Sequence, residues 1–360
     1  KMGKIGAPTV SYSMSGTFTQ RPRYTDRGFY MMNSKERVDV SRELMEMGVR
    51  YNGVYDGISD WIGYEKAYLD YFKYGSISFN DFKERSAYYE TLNTDWLDLL
   101  CRDVFSHNHS LSISGGNESA KYYASFGYAN EEGMVKATDF QRYTYTLGFD
   151  ADINKWIKAN AKFSGTTSDR HVNGASLSTA AAARPDIPAY NEDGSLYLHP
   201  YISGGKVYYV KNPIIEMTEN TTTYSQDNFR LTGNLEFQIL PELKLLTQYT
   251  YQRRKGEESS YASSNTQEGS GYWGDQKGVG RWAYSAGQTM EFEGRLTYNK
   301  TFNEKHSLNA LGAIVYNKDR QNNTYFKLRD FPDDEVQNGI WQGSDLVDYG
   351  GKGGSAVGSV

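Results

Sequence analysis

Residues 229–239 alternate without a break. Phe229, Leu231, Gly233, Leu235, Phe237 and Ile239 fall on one face of an extended chain, and Arg230, Thr232, Asn234, Glu236 and Gln238 on the other. A period of two is the geometry of a β-strand set between an apolar and a polar medium. Pro241 and Glu242 turn the chain, and Leu243, Leu245, Thr247, Tyr249 and Tyr251 resume the apolar side. The same alternation runs through Val10–Phe18, Tyr143–Phe149, Ile157–Phe163 and Met290–Tyr298. It is weaker in Leu308–Tyr316, where Leu311, Ala313 and Val315 make both faces apolar. The stretches SLSISGG and KYYASFGY bring the predicted strands to nine.

The connections between these strands fall into two classes that alternate along the chain. GGNES, DINK, LPELK and FNEKH are tight turns. The others are residues 20–104, the short NEEGMVKATD hairpin, and residues 170–224, 253–282 and 317–360. An up-and-down meander with short turns on one side and long loops on the other is the pattern of an outer-membrane barrel. A sandwich of Greek keys has no need to segregate its loops in this way.

The aromatic residues, 15% of the chain, follow the same division. Tyr122, Phe149, Trp156, Phe237 and Phe302 lie beside short turns, and Phe18, Tyr128, Tyr143, Phe163, Phe229 and Tyr251 lie toward long loops. Eight steps from Phe229 to Phe237 measure roughly 27 Å along a strand, or about 20 Å when tilted by about 45°. That is close to the height of an apolar band between two aromatic girdles. Tyr and Phe are also simply good strand residues; their position at both strand ends favours girdles. A mean hydropathy of −0.70 is compatible with such a wall, since every second residue faces water.

On the polar faces, Arg230, Glu236, Glu291, Glu293 and Arg295 would be costly in a dry sandwich core. On the outside of a sandwich they cost nothing, and inside a wide barrel they line water. These residues alone leave both open. No run approaches the roughly 20 apolar residues of a membrane-spanning helix. The 39 basic and 44 acidic residues are well mixed, with no basic stripe for nucleic acid.

Little points to covalent chemistry. The single cysteine, Cys101, follows Leu99 and Leu100 and reads as a packed, unreactive thiol. His107 and His109 share one strand face at a spacing that can hold a metal, but no third ligand is near. NEDG at Asn191–Gly194 lacks the register of a calcium loop and reads as a hairpin tip. GSGYWGDQKGVGRW lacks the context of a phosphate-binding loop and reads as exposed. The NES, NTT, NKT and NNT triplets match glycosylation acceptors, which are common by chance. With no Ser-His-Asp order, paired-carboxylate setting or cofactor fingerprint, the reading is of a non-enzyme without a cofactor.

Residues 33–104 are predicted as a helical insertion after the first strand. NSKERVDVSRELMEMG has Asn33 or Ser34 as N-cap and Gly48 as a stop; YEKAYLDYFKYG ends at Gly75; SFNDFKERSAYYETLNTDWLDLLCR offers caps at Ser78 and Thr94. Three helices would then pack on the rim of the strands. KMGKIGAPTV lacks the apolar region of a signal peptide. YGGKGGSAVGSV reads as a Gly/Ser-rich loop, and both ends read as cut from a longer chain.

Three stretches carry a resemblance to a known family. MNSKERVDVSRE (Met32–Glu43), the run from Leu92 to Gly165 beginning LNTDWLDLLCRDVFSHNHSLSISGG, and ARPDIPAYNEDGS (Ala183–Ser195) closely resemble the SusC/RagA family, the TonB-dependent outer-membrane transporters of Bacteroidetes. The opening KIGAPTVSYSMSGTFTQRPR resembles that family's junction from plug to first strand. The resemblance implies an all-β, antiparallel up-and-down transmembrane barrel of about 22 strands with a plugged lumen. Residues 1–360 would be a partial barrel domain, about nine strands, with the 33–104 helical insertion and the plug outside this chain.

The implied function is active import across the Gram-negative outer membrane of a large nutrient, an oligosaccharide or a peptide. The implied partners are a SusD-like surface lipoprotein, the TonB-ExbB-ExbD complex acting through the plug, and outer-membrane lipid. Polar residues facing the lumen, Arg142, Arg230, Glu236, Glu293 and Arg295, are the candidate substrate-lining positions, although solvated barrel residues are commoner than substrate contacts. Two other classes are weighed beside this one: a secreted sugar-binding β-sandwich, and a passive porin or structural surface protein.

Overall fold

The computed structural model describes residues 5–24, 26, 31–47, 63–197, 199–203, 206–210, 212–271, 276–334, 343 and 345–359. Ten strands form one antiparallel sheet: β1 (Gly6–Thr19), β2 (Val104–Gly116), β3 (Ala120–Glu132), β4 (Asp139–Asn154) and β5 (Ile157–Asn173) are followed by β8 (Asn220–Leu240), β9 (Leu243–Ala262), β10 (Val279–Phe302), β11 (His306–Arg329) and β12 (Asp345–Ser359). Each strand pairs with the next in chain order. The one interruption is a separate hairpin, β6 (His199–Ser203) with β7 (Lys206–Val210), carried within the β5–β8 connection. The fold is thus an up-and-down wall of barrel type, with its four tight turns on one rim and its long connections on the other.

The nine predicted strands are all present, and β12 is a tenth. It occupies most of the closing segment read from sequence as a Gly/Ser-rich loop. The side-chain pattern hid it because Gly350, Gly351, Gly353 and Gly354 supply no alternation to read. Its backbone nevertheless pairs with β11 from Asp345 to Ser359. Glycine is needed at least once: a Cβ on Gly350 would lie 2.4 Å from the ring of Tyr325 across the ladder. Gly165 stands in the same relation to Tyr145, at 2.3 Å. In both places an aromatic ring lies over a bare strand, covering backbone that glycine leaves open.

The first long connection holds four described helices rather than three: α1 (Ser34–Glu46), α2 (Gly63–Phe72), α3 (Phe79–Thr91) and α4 (Trp96–Leu100). Asn33 caps α1 and Ser78 caps α3, each in a reciprocal capping box with the N3 carboxylate. The fourth cap is Asp95, whose side chain accepts from the Asp98 amide, not the expected Thr94. Gly48, the expected stop of α1, lies outside the described residues. Short helices α5 (Leu177–Ala182), α6 (Pro213–Glu219) and α7 (Gln267–Ser270) sit in the later long connections.

The larger apolar core lies in the loops, and a smaller one, Tyr261, Leu328 and Phe331 with Trp282 against them, sits at the long-loop ends of β9–β11. Trp96, Leu97, Leu100 and Cys101 pack with Ala175, Ala180, Ala189, Ile214 and Met217, flanked by Met134 and Val135. The first long connection, the β5–β8 connection and the short β3–β4 hairpin thereby close on one another. Away from the long-loop ends the sheet's apolar face stays open: Val10, Tyr12, Met14, Leu147, Phe149, Leu235, Phe292 and Ile314 are all exposed. A sandwich would bury that face against a second sheet; here it forms a broad apolar surface of the kind that marks a membrane or partner contact.

Candidate functional site

Strand register fixes which residues share a face, because residues directly opposite one another in a ladder point the same way. Tyr122 is opposite Phe149, Leu147 opposite Phe163, Phe163 opposite Leu231, Leu231 opposite Tyr251, and Tyr249 opposite Phe292. The apolar residues of neighbouring strands therefore form one surface. Along it runs a belt of ring contacts: Tyr12–His109 at 6.1 Å, His109–Tyr128 at 6.4 Å and Tyr128–Tyr143 at 5.1 Å. Beyond these, Tyr145–Phe163, Phe163–Phe229 and Phe229–Tyr251 follow at 5.6, 6.2 and 5.7 Å. This is the girdle expected on the long-loop side.

His107 and His109 belong to that belt. Their ring nitrogens are 3.1 Å apart, and the Tyr12 hydroxyl is 2.7 Å from Nδ1 of His109. Both imidazoles are thus engaged with each other and with a phenol on the apolar side. No group of three or more potential metal ligands occurs among the described residues.

The five candidate lining residues all lie on the opposite face. Arg142 is opposite Ala129 and Ser168, Arg230 opposite Ser164 and Gln252, and Glu236 opposite Lys158 and Leu246. Glu293 is opposite Gln248 and Val315, and Arg295 opposite Leu246 and Ala313. Register brings Glu236, Glu293 and Arg295 together near the short-turn rim. There Lys244 donates to Glu236 at 2.7 Å, and Arg295 pairs with Glu293. Arg230 lies nearer mid-wall and Arg142 nearer the long loops. Arg230 has no ionic partner among the described residues, while the Arg142 guanidinium sits 5.7 Å from the centre of the Phe140 ring.

The sequence reading missed a continuous polar row on this face. Lys121, Asp150, Asn160, Asn234, Gln248 and Glu293 stand side by side across six strands. Asn160 donates to Asp150 at 2.5 Å, and Asn234 donates to Asn160 at 3.1 Å. The Asn234 side-chain amide oxygen is buried and has no hydrogen-bond donor among the described residues. The row can be found from sequence only once the register of all six strands is known.

At the long-loop rim, the three stretches that carry the family resemblance meet. Ser34 Oγ donates to the Pro185 carbonyl at 2.8 Å, and the Thr94 amide donates to the same oxygen at 2.9 Å. The Ser34 amide donates to Asn93 Oδ1 at 3.0 Å, and the Asn93 amide returns a bond to Ser34 Oγ at 2.8 Å. Trp96 Nε1 donates to the Arg184 carbonyl at 2.8 Å, and Thr94 Oγ1 to the Ile187 carbonyl at 2.7 Å. Residues 183–187 are thereby threaded between α1 and α4.

A buried charge group locks this junction to α2. Arg184 donates to Glu65 at 2.8 Å and to both oxygens of Asp186, at 3.0 and 2.5 Å. Ser41 donates to the other oxygen of Glu65 at 2.8 Å, with Arg37 at 3.5 Å. Asp186 is fully buried and Glu65 nearly so. Burial by itself would lower the basicity of Arg184; the bond to Asp186 and the charge of Glu65 more than reverse this, so its pKa is raised. Burial also pushes the Cys101 thiol up, away from nucleophilic use. These contacts hold the loops as one rigid rim above the wall.

No protein-family model matches the chain. Among curated proteins, TonB-dependent receptor P3 of Formosa agariphila is 26% identical over 268 residues, covering 70% of this chain and 26% of that protein. TonB-dependent receptor SusC of Bacteroides thetaiotaomicron is 34% identical over 150 residues, covering 40% of this chain and 14% of SusC. The chain spans about a quarter or less of the length of these relatives. Among solved structures, the RagAB peptide importer in its closed-closed state matches 99% of this chain and 40% of the importer chain, with a TM-score of 0.69 at 18% identity. A second structure of the RagAB peptide transporter gives a TM-score of 0.67 at 21% identity. In sequence and in fold, the chain is recognised as SusC/RagA-like, a length of barrel wall of the kind that TonB-dependent receptors carry.

Proposed function

We propose that this chain is part of an outer-membrane transporter that imports a large nutrient, an oligosaccharide or a peptide, driven through TonB. The observation that carries the reading is the division of the wall. One face is an open apolar surface with an aromatic belt, the other is a polar row, and the loops of one rim are locked into a single body. Such a wall separates lipid from a wet lumen, and a rigid rim offers a fixed surface to a lid.

In this reading residues 1–360 are a partial barrel domain with 33–104 as its helical insertion, and the plug lies outside this chain. The rim built on residues 33–104 and 183–217 is the contact for a SusD-like lipoprotein. TonB-ExbB-ExbD acts through the plug, and lipid bathes the apolar face. Arg142, Arg230, Glu236, Glu293 and Arg295 line the passage together with Asn160, Asn234 and Gln248. Their mixture of charge and amide suits a hydroxyl- or amide-rich solute, which exchanges hydrogen bonds with water at little cost. No covalent chemistry is assigned to the wall.

The test is uptake by source cells of fluorescent oligosaccharides and peptides, with the gene intact or deleted and with or without a protonophore. Import lost in both the deletion and the protonophore arm supports the proposal. Import that needs the gene but ignores the protonophore indicates a passive porin. A protein found in the soluble fraction returns the reading to a secreted sugar-binding domain.

A further inference from the structure

The apolar face is not uniform from rim to rim. On β9, β10 and β11, Tyr249, Phe292 and Tyr316 stand in one row across the apolar band. The next row toward the long loops is Tyr251, Met290 and Lys318, and the one after it is Arg253, Gln288 and Arg320. Each row is a two-residue step, about 7 Å along a strand. The change from aromatic to cationic therefore occurs immediately beyond the girdle, on the side facing lipid. The same ladder then reaches Glu257, Tyr284 and Thr324, followed by Ser259, Trp282 and Phe326.

Arg253, Lys318 and Arg320 have no ionic partner among the described residues. Most of their neighbours do: Lys255 is held by Glu257 at 2.6 Å, Arg281 by Glu258, and Arg295 by Glu293. These uncompensated cations stand on β9 and β11 with β10 between them. Arg253 and Arg320, with Gln288, Ala286 and Gly353, line a groove of about 660 Å³, and Lys318 lies one row nearer the apolar band, in a smaller recess beside Arg320, Gln288 and Met290. The small Ala286 and Gly353 leave the space open. Above it, a second groove of about 400 Å³ is lined by Trp282, Tyr284, Phe326, Ser225 and Glu257. Trp282 is steadied from one side by Phe331, at 6.2 Å between rings.

We propose that this strip binds a phosphorylated glycolipid of the outer leaflet. Arg253, Lys318 and Arg320 take its phosphate, and Trp282, Tyr284 and Phe326 stack on its sugars. The order of the strip matches the order of the lipid: acyl chains against the apolar band, anionic groups at the headgroup level, sugars above. An anion at the headgroup level is attracted by such a cluster, and guanidinium groups suit phosphate oxygens. Aromatic rings with polar tips are favoured at the same depth. A bound lipid would couple the wall to its membrane and hold β8–β12 at a fixed depth.

The inference rests on the outer-membrane reading, so the protein is first purified from outer membranes in mild detergent. Its absence from that fraction would overturn the location before any lipid is added. Native mass spectrometry then follows the binding of bisphosphorylated lipid A, of phosphate-free lipid A, and of lipid A against millimolar inorganic phosphate. R253Q/K318Q/R320Q is compared with K162Q/R254Q/K327Q, which removes the same charge from the polar face. Heat-modifiability on a gel verifies that both variants are folded.

The expected result is at least tenfold weaker binding of bisphosphorylated lipid A by the first variant only. Phosphate-free lipid A should distinguish the proteins little, and W282A/Y284A should weaken lipid A more than it weakens phosphatidylglycerol. Equal binding by wild type and R253Q/K318Q/R320Q overturns the proposal. So does displacement of lipid A by millimolar inorganic phosphate, which would make this a free-anion site. A protein subunit occupying the strip in the purified complex, with no lipid retained, overturns it as well.

Discussion

Arg184 and Glu65, 119 residues apart in sequence, meet at 2.8 Å in the interior of the loop rim. Asp186 completes the site at 2.5 Å from the same guanidinium nitrogen. One cation thereby holds two buried carboxylates, and through them the β5–β8 connection is fastened to α1 and α2. The rim is a folded body in its own right, built over a wall whose apolar residues remain open.

Removing the cation should therefore unfasten the rim without dissolving the wall. R184M leaves Glu65 and Asp186 buried beside only the more distant Arg37. Breaking a buried pair from one side typically costs about 3–5 kcal/mol. Limited proteolysis and hydrogen exchange should show faster cleavage and exchange in residues 63–95 and 176–190, with heat-modifiability of the barrel unchanged. Adding E65Q and D186N to R184M should recover much of the protection, because the stranded charges are gone.

Trp96 tests the same junction from the apolar side. It is 2% exposed, and its indole nitrogen satisfies the Arg184 carbonyl. W96F keeps most of the ring's burial but strands that carbonyl, an expected loss of about 1–3 kcal/mol in rim stability. W96A also opens a cavity and should cost about 3–5 kcal/mol. Denaturant-dependent hydrogen exchange in α4 and residues 183–190 measures both.

The rim should also fail in alkali before the wall does. Burial raises the pKa of Tyr197 to about 12, with Tyr89 and Tyr88 adding to the shift, and burial raises Tyr89 as well. Both phenols are favoured neutral in the folded rim. Their contribution is complete below the ordinary tyrosine value near 10 and is lost as pH rises from there through about 12. Absorbance titration of tyrosinate, run beside hydrogen exchange, should show a late phase that Y197F diminishes. A titration without that phase in the unsubstituted protein would contradict the burial of Tyr197.

A smaller effect is expected at α3. None of its residues is buried; Phe82 packs on Tyr71 and Phe72 of α2, and the Ser78–Asp81 box holds its first turn. S78A should cost this helix about 1 kcal/mol, read as faster exchange confined to residues 79–91. The Ser78 hydroxyl and amide hold Asp81 below the ordinary carboxylate range. Their support is present above that range and is lost as pH falls through the lowered value, so acid should reproduce S78A in α3.

Much of the wall was legible because its signal is local. Alternation in residues 229–251 predicts β8 and β9, and a cap at Asn33 or Ser34 and another at Ser78 help to announce α1 and α3. β12 was not legible, since paired glycines carry no pattern and the partner strand supplies the evidence. The rim was legible only as a likeness: Met32–Glu43, Leu92–Gly165 and Ala183–Ser195 stood out as family-like stretches. That they bind one another depends on Ser34, Asn93, Trp96 and Arg184 meeting across long separations. The five proposed lining residues were assigned to one face by alternation, and register supports that facing. Which of them stand together required the ladder, as did the Lys121–Glu293 row.

The central claim is that this wall has lipid on one side and water on the other. Spin labels at single engineered cysteines, in protein purified from outer membranes and returned to bilayers, measure it directly. Leu147, Leu235 and Phe292 sample the apolar face, and Thr146, Asn234 and Glu293 the other. The account predicts oxygen-accessible labels on the first three and labels accessible to an aqueous nickel complex on the second three. Equal aqueous access on both faces, or an apolar face shielded from oxygen and nickel alike, would contradict it.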